Sequence, residues 1–285
     1  MTKRNLDWTP EKFKRFLKEG RGKGEGKEYK PWLTIQDMPS LGRVSRILGW
    51  KSGRIHHLFT DVETRYFYLL EWEDSNYVVD IREQFPLLDI EEVIADKDDI
   101  NLNKYSTVDN EAPYVLATTF LITLRNSDGK IFNIARSVKS SYELEKKSII
   151  ERYEIERRYY ESKNIDFGIV TEKDIPITKC KNIQWIHSSY RLDIDNGLDL
   201  QQISYLTNIL IPMFKGSPLA IRKITSDFDD EMNITAGTGL LLFKHLIAKK
   251  VFIVNMNEKI DISKSAKDIV LINEERRNDH YAIGS

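Results

Sequence analysis

The chain has 285 residues, a formal net charge of −1 and 31% charged residues, which is the profile of a soluble globular protein with one large domain or two ordinary ones. Its single cysteine, Cys180, excludes a disulfide framework and a zinc site built from cysteines, and it fits a reducing cytosol. The charged N-terminus predicts no signal peptide, and no apolar run approaches the roughly 18 residues of a membrane span.

The first predicted element is a short helix followed by glycines. Thr9 suits the N-cap, Pro10 the first helical position and Gly20 the end, which predicts a helix over 9–19. In EGRGKGEGKEYKPW the glycines then alternate from Gly20 to Gly26. A P-loop needs GxxxxGK[ST], and a dinucleotide fingerprint needs a strand before and a helix after it. Neither context is present, so the pattern favours a flexible basic linker over a nucleotide site.

A basic stretch, PSLGRVSRILGWKSGRIHH, follows from Pro39 to His57. Because the net charge is near zero, DNA binding would have to come from such a local cluster. One interpretation is a solvated loop or hairpin, which most charge runs are. The other is an arm that contacts DNA phosphates just before a catalytic helix. The candidate DNA contacts are Arg43, Arg46, Lys51, Arg54 and His57.

The middle of the chain predicts a helix, a strand and a hairpin. Thr60 as N-cap and Glu63 at the capping-box position predict a helix over Thr60–Trp72, and capping is the plain structural role of Glu63. Tyr77–Ile81 predicts a strand. Val115–Lys139 predicts two strands joined by the turn Asn126-Ser127-Asp128-Gly129.

A long helix over Ser141–Lys163 and a strand over Asp166–Thr171 complete a β-α-β-β-α-β order, which predicts an α/β domain on a mixed sheet. Beyond it, helices are followed by a hairpin at Val251–Ile260 and a last strand at Asp268–Ile272, a pattern typical of a winged-helix domain. We therefore predict two domains, 1–175 and 176–285. The polar tail that starts at Asn273 is predicted to be disordered and to bind a partner only by folding on contact.

Two of these elements carry residues suited to phosphodiester hydrolysis. That reaction needs a divalent metal held by two nearby carboxylates, and a lysine that orients water or stabilises charge. Glu63 from the helix and Lys139 from the end of the hairpin would meet at one edge of a twisted sheet. The first hairpin strand, however, has Thr118-Thr119-Phe120 where an acid is needed.

The sequence resembles the TnsA family, the endonuclease subunits of heteromeric cut-and-paste transposases. The resemblance rests on EGRGKGEGKEYKPWLTIQDMPSLGRVSRI, HHLFTDVETRYFYLLEWEDS, VVDIREQFPLL, ATTFLIT, ARSVK, EIERRYYESKNIDF and AGTGLLLFKHLIAKK, of which the block around DIREQFPLL is the most specific. It implies a restriction-endonuclease-like N-terminal domain and a winged-helix C-terminal domain. It also implies a cytoplasmic, nucleoid-associated enzyme that uses Mg²⁺, with Mn²⁺ as an alternative, to cut the non-transferred strand at transposon 5′ ends.

The resemblance further implies transposon-end DNA, a TnsB-like 3′-end transposase and a TnsC-like AAA+ regulator as partners. Matched residue by residue, the family's helix glutamate falls on Glu63, its strand lysine on Lys139 and the polar residue two before it on Ser137. In related nucleases the carbonyl before the lysine, here that of Val138, is also a metal ligand. The family's metal-binding aspartate falls on Thr119, whose neutral hydroxyl is a poor ligand for a hard cation.

Three explanations of Thr119 stay open: a natural homologue with reduced cleavage, a deliberate inactivating change, or a different acid that completes the site. The candidates for that acid are Asp109, Glu111 and Asp128 in loops, and Asp61, Glu73 and Glu83, whose plainer roles are helix N-terminus, surface and a pair with Arg82. We favour the first two explanations because carboxylate ligation is central to metal-assisted hydrolysis. They predict weak Mg²⁺ binding and impaired cutting. The alternatives are a catalytically silent scaffold subunit and a stand-alone restriction-type nuclease.

Overall fold

In a computed structural model of the chain, the structure describes residues 8–37, 43–74, 76–94, 102, 114–192 and 198–277. The chain divides into two compact units, one ending at Ile175 and the other beginning at Pro176. No helix in these described ranges is long and apolar enough to cross a membrane. Asp109, Glu111, the start of the basic stretch at Pro39 and the tail beyond Arg277 lie outside the described residues.

The first unit is a mixed α/β structure with a mixed sheet, as the sequence predicted. Its helices are α1 (Pro10–Lys18), α2 (Asp61–Trp72), α3 (Ile90–Val93) and α4 (Lys147–Ser162). Its strands are β1 (Ser45–Leu48), β2 (Ile55–Leu58), β3 (Val78–Pro86), β4 (Ala117–Arg125), β5 (Ile131–Val138) and β6 (Asp166–Val170). The strand order in the main sheet is β3-β4-β5-β6, in which only the β5–β6 pair is parallel, and β1 and β2 form a separate antiparallel pair.

Local sequence signals explain several of these boundaries. The Asn126 side chain accepts hydrogen bonds from the N–H groups of Asp128 and Lys130, and Gly129 adopts φ +80°, so the predicted turn closes the β4–β5 hairpin. Strand β3 runs five residues beyond its predicted end at Ile81, to Pro86. The predicted long helix begins at Lys147, because Ser141–Glu145 forms a 3₁₀ turn instead.

The glycine segment, residues 20–32, covers the free edge of β3 instead of forming a flexible linker. The Trp32 N–H donates to the Gln84 carbonyl (3.1 Å), the Gly26 N–H to the Asp80 carboxylate (2.9 Å) and the Tyr29 hydroxyl to the Glu83 carbonyl (3.0 Å). These contacts protect a strand edge that would otherwise be unpaired. At Gly22, which has φ +78°, a Cβ would lie 2.3 Å from the Pro86 side chain, so glycine is required there.

The second unit is mostly helical. It contains α5 (Ile177–His187), α6 (Leu200–Phe214), α7 (Ile221–Glu231), α8 (Thr238–Ala248) and α9 (Ala266–Ile269), with the short strands β7 (Phe252–Ile253) and β8 (Leu271–Ile272). The rings of Phe214, Phe243 and Phe252 pack together in its core. The hairpin predicted at 251–260 does not close on itself, because β7 pairs with β8 at the far end of the unit. Asp268, predicted to begin the last strand, lies in α9.

Candidate active site

Glu63 lies in the first turn of α2 and is buried. The Thr60 hydroxyl accepts a hydrogen bond from the Glu63 N–H (3.1 Å), and the Glu63 carboxylate accepts one from the Phe59 N–H (2.8 Å). Capping is therefore part of its role. Burial raises the pKa of Glu63 to about 7, although the Phe59 and Thr60 hydrogen bonds and the charge of Lys139 oppose the rise. A carboxyl that titrates near neutrality beside a cation is typical of functional sites.

The ends of β4 and β5 bring the other predicted site residues together. The Thr119 hydroxyl accepts a hydrogen bond from the Val138 N–H (3.0 Å), which ties the two strands at the predicted metal position. Ser137 is buried, and its hydroxyl donates to the Glu156 carboxylate on α4. The Lys139 ammonium lies 3.1 Å from the Glu143 carboxylate and close enough to Glu63 to lower its pKa. The structure thus gathers Glu63, Thr119 and Lys139 in one region.

Along strand β4, the alternation of side chains between the two faces of the sheet is interrupted at Thr119. The Phe120 ring lies 5.9 Å from the Tyr66 ring of α2, whereas the Thr118 hydroxyl donates to Glu156 of α4 (3.0 Å). The neighbouring Leu121 packs in the core cluster that contains residues of α4, so α2 and α4 cover opposite faces. Residues two apart on a regular strand share a face. Because Thr118 and Phe120 do not, the alternation is interrupted at the residue between them.

Strand β3 changes face at the same level. Glu83 contacts Arg54 and His56 of the β1–β2 region, whereas Phe85 packs against the core cluster that contains residues of α4. Gln84, between them, has φ +50°, a left-handed conformation that is uncommon for a residue other than glycine. The pairs Glu83–Phe120 and Phe85–Thr118 put Gln84 opposite Thr119. Sequence reasoning missed this feature because alternation assumes a regular strand.

A buried carboxylate on α4, Glu156, lies behind the site and was also missed. One of its oxygens accepts from the Thr118 and Ser137 hydroxyls, and the other accepts from Arg152 Nε at 3.0 Å. The side chain is fully buried. In the sequence it is one of several glutamates in a helix rich in charge pairs, and nothing in the pattern marks it as different. Only the packing of α4 on the sheet selects it.

The donors present do not suit a hard divalent cation. Of the three described carboxylates Glu63, Glu143 and Glu156, only Glu63 has no cation bound directly to it, and the neutral Thr119 hydroxyl accepts a hydrogen bond from the Val138 N–H. Glu143 is paired with Lys139, and Glu156 is engaged by three donors. Within the described ranges, no three His, Cys, Asp or Glu side chains are arranged to hold a metal ion. The described residues therefore contain no three-ligand cluster that would compensate for the acid absent from position 119.

From Arg43 onward the basic stretch leads into the β1–β2 hairpin, and its residues differ in environment. Arg43 and Arg46 are exposed, Lys51 donates to the Glu73 carbonyl (2.8 Å), and His57 is partly buried, which lowers its pKa despite the opposing charge of Glu83. Arg54 is buried and occupied within the fold. It donates to both Glu83 oxygens (2.5 and 2.8 Å) and to the Ile81 carbonyl (2.9 Å).

The predicted pairing of Glu83 with Arg82 is wrong. Glu83 is bound by Arg54 and by His56, whose Nδ1 lies 2.7 Å from a Glu83 oxygen. Arg82 instead donates to Thr123 on β4 and to Asn133 on β5. The reason is that Arg82 and Glu83 are adjacent in a strand and so project to opposite faces.

A mixed sheet on which a helix carboxylate lies near a lysine at the end of a β-hairpin is typical of nucleases that cut DNA. Comparison with known proteins identifies the family. Residues 75–172 match the model described as TnsA-like endonuclease N terminal, and residues 174–256 match that described as TnsA endonuclease C terminal. The chain is also 41% identical over 213 residues, 74% of each chain, to the "Transposon Tn7 transposition protein TnsA" of Escherichia coli. The chain belongs to the TnsA endonuclease family of transposase subunits.

Proposed function

We propose that this chain is the endonuclease subunit of a heteromeric transposase, directed at the non-transferred strand at transposon 5′ ends, and that its cleavage is impaired at position 119. Family membership supports the subunit role and the reaction class. The convergence of Glu63 and Lys139 supports the site. The four-stranded mixed sheet supports a restriction-endonuclease-like domain over 1–175, and the helices followed by β7 and β8 support a winged-helix domain over 176–285.

The observation that carries the impairment is the hydrogen bond from the Val138 N–H to the Thr119 hydroxyl. It gives residue 119 a role in joining β4 to β5, and because this residue is threonine, position 119 supplies no carboxylate to the site. Hard divalent cations prefer charged oxygen ligands. We therefore expect Mg²⁺ or Mn²⁺ to bind weakly through Glu63, Thr119 and the Val138 carbonyl. In this proposal Lys139 stabilises charge on the scissile phosphate, and Ser137 fixes the end of β5 against Glu156.

For DNA contacts we propose Arg43, Arg46, Lys51 and His57 on the β1–β2 hairpin. The exposure of Arg43 and Arg46 supports phosphate binding. Arg54 is left out because its guanidinium is bound to Glu83. The proposed partners are transposon-end DNA, a TnsB-like 3′-end transposase and a TnsC-like AAA+ regulator.

A second candidate function is favoured by the same hydrogen bond at Thr119. In this case the chain is a catalytically silent scaffold that bridges the 3′-end transposase, the regulator and DNA. The two candidates differ in their products, because a silent subunit leaves the second strand uncut and yields cointegrates. An active subunit yields simple excision.

The test is Thr119→Asp in a reaction reconstituted with both partner proteins and transposon-end DNA, with Mg²⁺ or Mn²⁺. We expect the wild-type chain to give mostly cointegrates and Thr119→Asp to raise 5′-strand cleavage and excision. Thr119→Asn is the matched control, since it has the size of aspartate without the charge. Efficient cutting by the wild-type chain would refute the impairment. No gain from Thr119→Asp would mean that another acid completes the site or that the subunit is a scaffold, and Asp109 and Glu111 variants would separate these.

A further inference from the structure

Arg152 on α4 is held in a fixed position beside the candidate active site. Its Nε donates to Glu156 (3.0 Å), and its Nη2 donates to the Ala117 carbonyl at the start of β4 (2.7 Å). Two hydrogen bonds to two different elements fix the plane of the guanidinium. Because the folded protein already orders this long side chain, a ligand that binds it would lose little free energy to side-chain ordering.

The anchors of Arg152 connect it to both strand ends at the site. Ala117 precedes Thr119 by two residues, and Glu156 is bound by the Ser137 hydroxyl, two residues before Lys139. The charge of Arg152 also reaches Glu63, where it lowers the pKa that burial raises. Arg152 therefore lies next to the region where Glu63, Thr119 and Lys139 converge.

The guanidinium retains donors for a ligand. An arginine has five N–H groups, and the two hydrogen bonds above use two of them. In the described part of the chain, Nη1 of Arg152 has no hydrogen-bond partner, and the side chain is 34% exposed. Arg157 on the same helix differs, because its three donor nitrogens are bound to Glu154 and Glu161.

We propose that Arg152 binds a phosphate of the DNA strand that enters the candidate active site, using its Nη1 donors. The inference rests on the proposed function, because it takes DNA as the substrate. A planar guanidinium with paired donors matches two phosphate oxygens better than an ammonium does. Lys139, whose ammonium is engaged by Glu143, would then be one of two cations at the strand. The competing role is purely structural: Arg152 compensates the charge of buried Glu156 and nothing else.

The experiment measures binding of the full chain to a transposon-end duplex by fluorescence anisotropy, in EDTA, over a series of salt concentrations. Each phosphate contact contributes about 0.9 to the slope of log K against log salt. The test protein is the double variant Arg152→Gln/Glu156→Gln, in which the buried pair is neutral and no carboxylate is left uncompensated. Its fold is checked by thermal unfolding. Arg157→Gln is the matched control on the same helix.

We expect the double variant to fold and to lose about one contact, with a slope smaller by about 0.9, while Arg157→Gln keeps the wild-type slope. Arg152→Lys should retain part of the slope but bind more weakly, because an ammonium lacks the paired donors. A wild-type slope in the folded double variant would overturn the role of Arg152. Absence of any salt-dependent binding by the wild-type chain would instead contradict the DNA-directed proposed function.

Discussion

Two buried glutamates in the same unit, Glu83 and Glu63, have opposite electrostatic environments. Glu83 on β3 is bound by Arg54 and His56, and these partners lower its pKa below the ordinary value even though burial alone would raise it. Among the described residues, Glu63 on α2 has no cation in direct contact, and its hydrogen-bond partners are backbone and hydroxyl groups at the start of its own helix. Burial therefore dominates and raises its pKa to about 7.

The difference separates a structural carboxylate from a candidate functional one. A buried charge that only supports the fold is usually fully paired, because an unpaired one destabilises the folded state. A buried carboxylate with too few cationic or N–H partners lowers the stability of the folded state, and carboxylates of this kind are concentrated at functional sites. In the folded chain Glu83 has three cationic or N–H partners, from Arg54, His56 and His57, whereas Glu63 faces the region of Thr119 and Lys139.

The largest change in the free energy of unfolding is expected when Glu83 loses its Arg54 partner. Arg54→Met leaves the Glu83 carboxylate buried without its bidentate partner, so we expect a loss of about 3–5 kcal/mol in the free energy of unfolding at pH 7. Urea denaturation at equilibrium measures it. A loss below about 1 kcal/mol would show that His56 alone compensates the charge of Glu83 and that Arg54 contributes little to the stability of the fold.

The next effect is at Glu63 and depends on pH. Because its folded pKa is raised, the folded state binds more protons than the unfolded state between pH 4.5 and about 7. The contribution of Glu63 to the free energy of unfolding therefore falls as pH rises through that window and is constant outside it. Glu63→Gln should abolish this fall. Between pH 4 and pH 8 the variant should therefore gain at most about 3 kcal/mol in the free energy of unfolding relative to the wild type.

Urea titrations in EDTA at pH 4 and pH 8 test the Glu63 prediction, with EDTA present so that no metal compensates the carboxylate. Glu151→Gln, an exposed change on α4, serves as the control for general effects of pH. Equal stability differences at both pH values would mean that Glu63 is already compensated in the folded state.

A smaller effect is expected from a second carboxylate at the site. Thr119→Asp puts a like charge near Glu63, so without metal the pKa of Glu63 should rise further, by about 1. NMR titration of the glutamate side-chain carboxyl carbon measures it, with Thr119→Asn as the neutral control. An unchanged Glu63 pKa would indicate that residue 119 and Glu63 are too far apart to share a ligand.

The smallest effect is expected for the exposed ion pairs of α4. Arg157 is 47% exposed in its side chain and pairs with Glu154 and Glu161. Arg157→Ala should change the free energy of unfolding by less than about 1 kcal/mol, since solvent screens such pairs. A loss as large as that of Arg54→Met would remove the distinction between buried and exposed pairs in this chain.

The local elements were accessible to sequence reasoning to different degrees. The start of α2 and the β4–β5 turn follow from short-range side chain to backbone hydrogen bonds, made by Thr60 and Asn126, and both were predicted. The glycine segment was misread as flexible because the contacts that order it are to β3, far along the chain. The role of Arg54 could not be separated from that of its exposed neighbours Arg43 and Arg46, because a pattern of charged residues does not show which side chains are buried.

By itself, the sequence determined the helix caps, the hairpin turn, the identity of the family and the lack of an acid at position 119, since each depends on residue type and short spacing. Only the tertiary structure decided which glutamate is paired, that β3 and β4 both change face at Gln84 and Thr119, and that Arg152 is anchored to both strand ends. The physical reason is that these properties depend on burial and on partners brought together by packing. The protonation state of a buried group depends on the groups that surround it in space, and the order of residues along the chain does not show which groups these are.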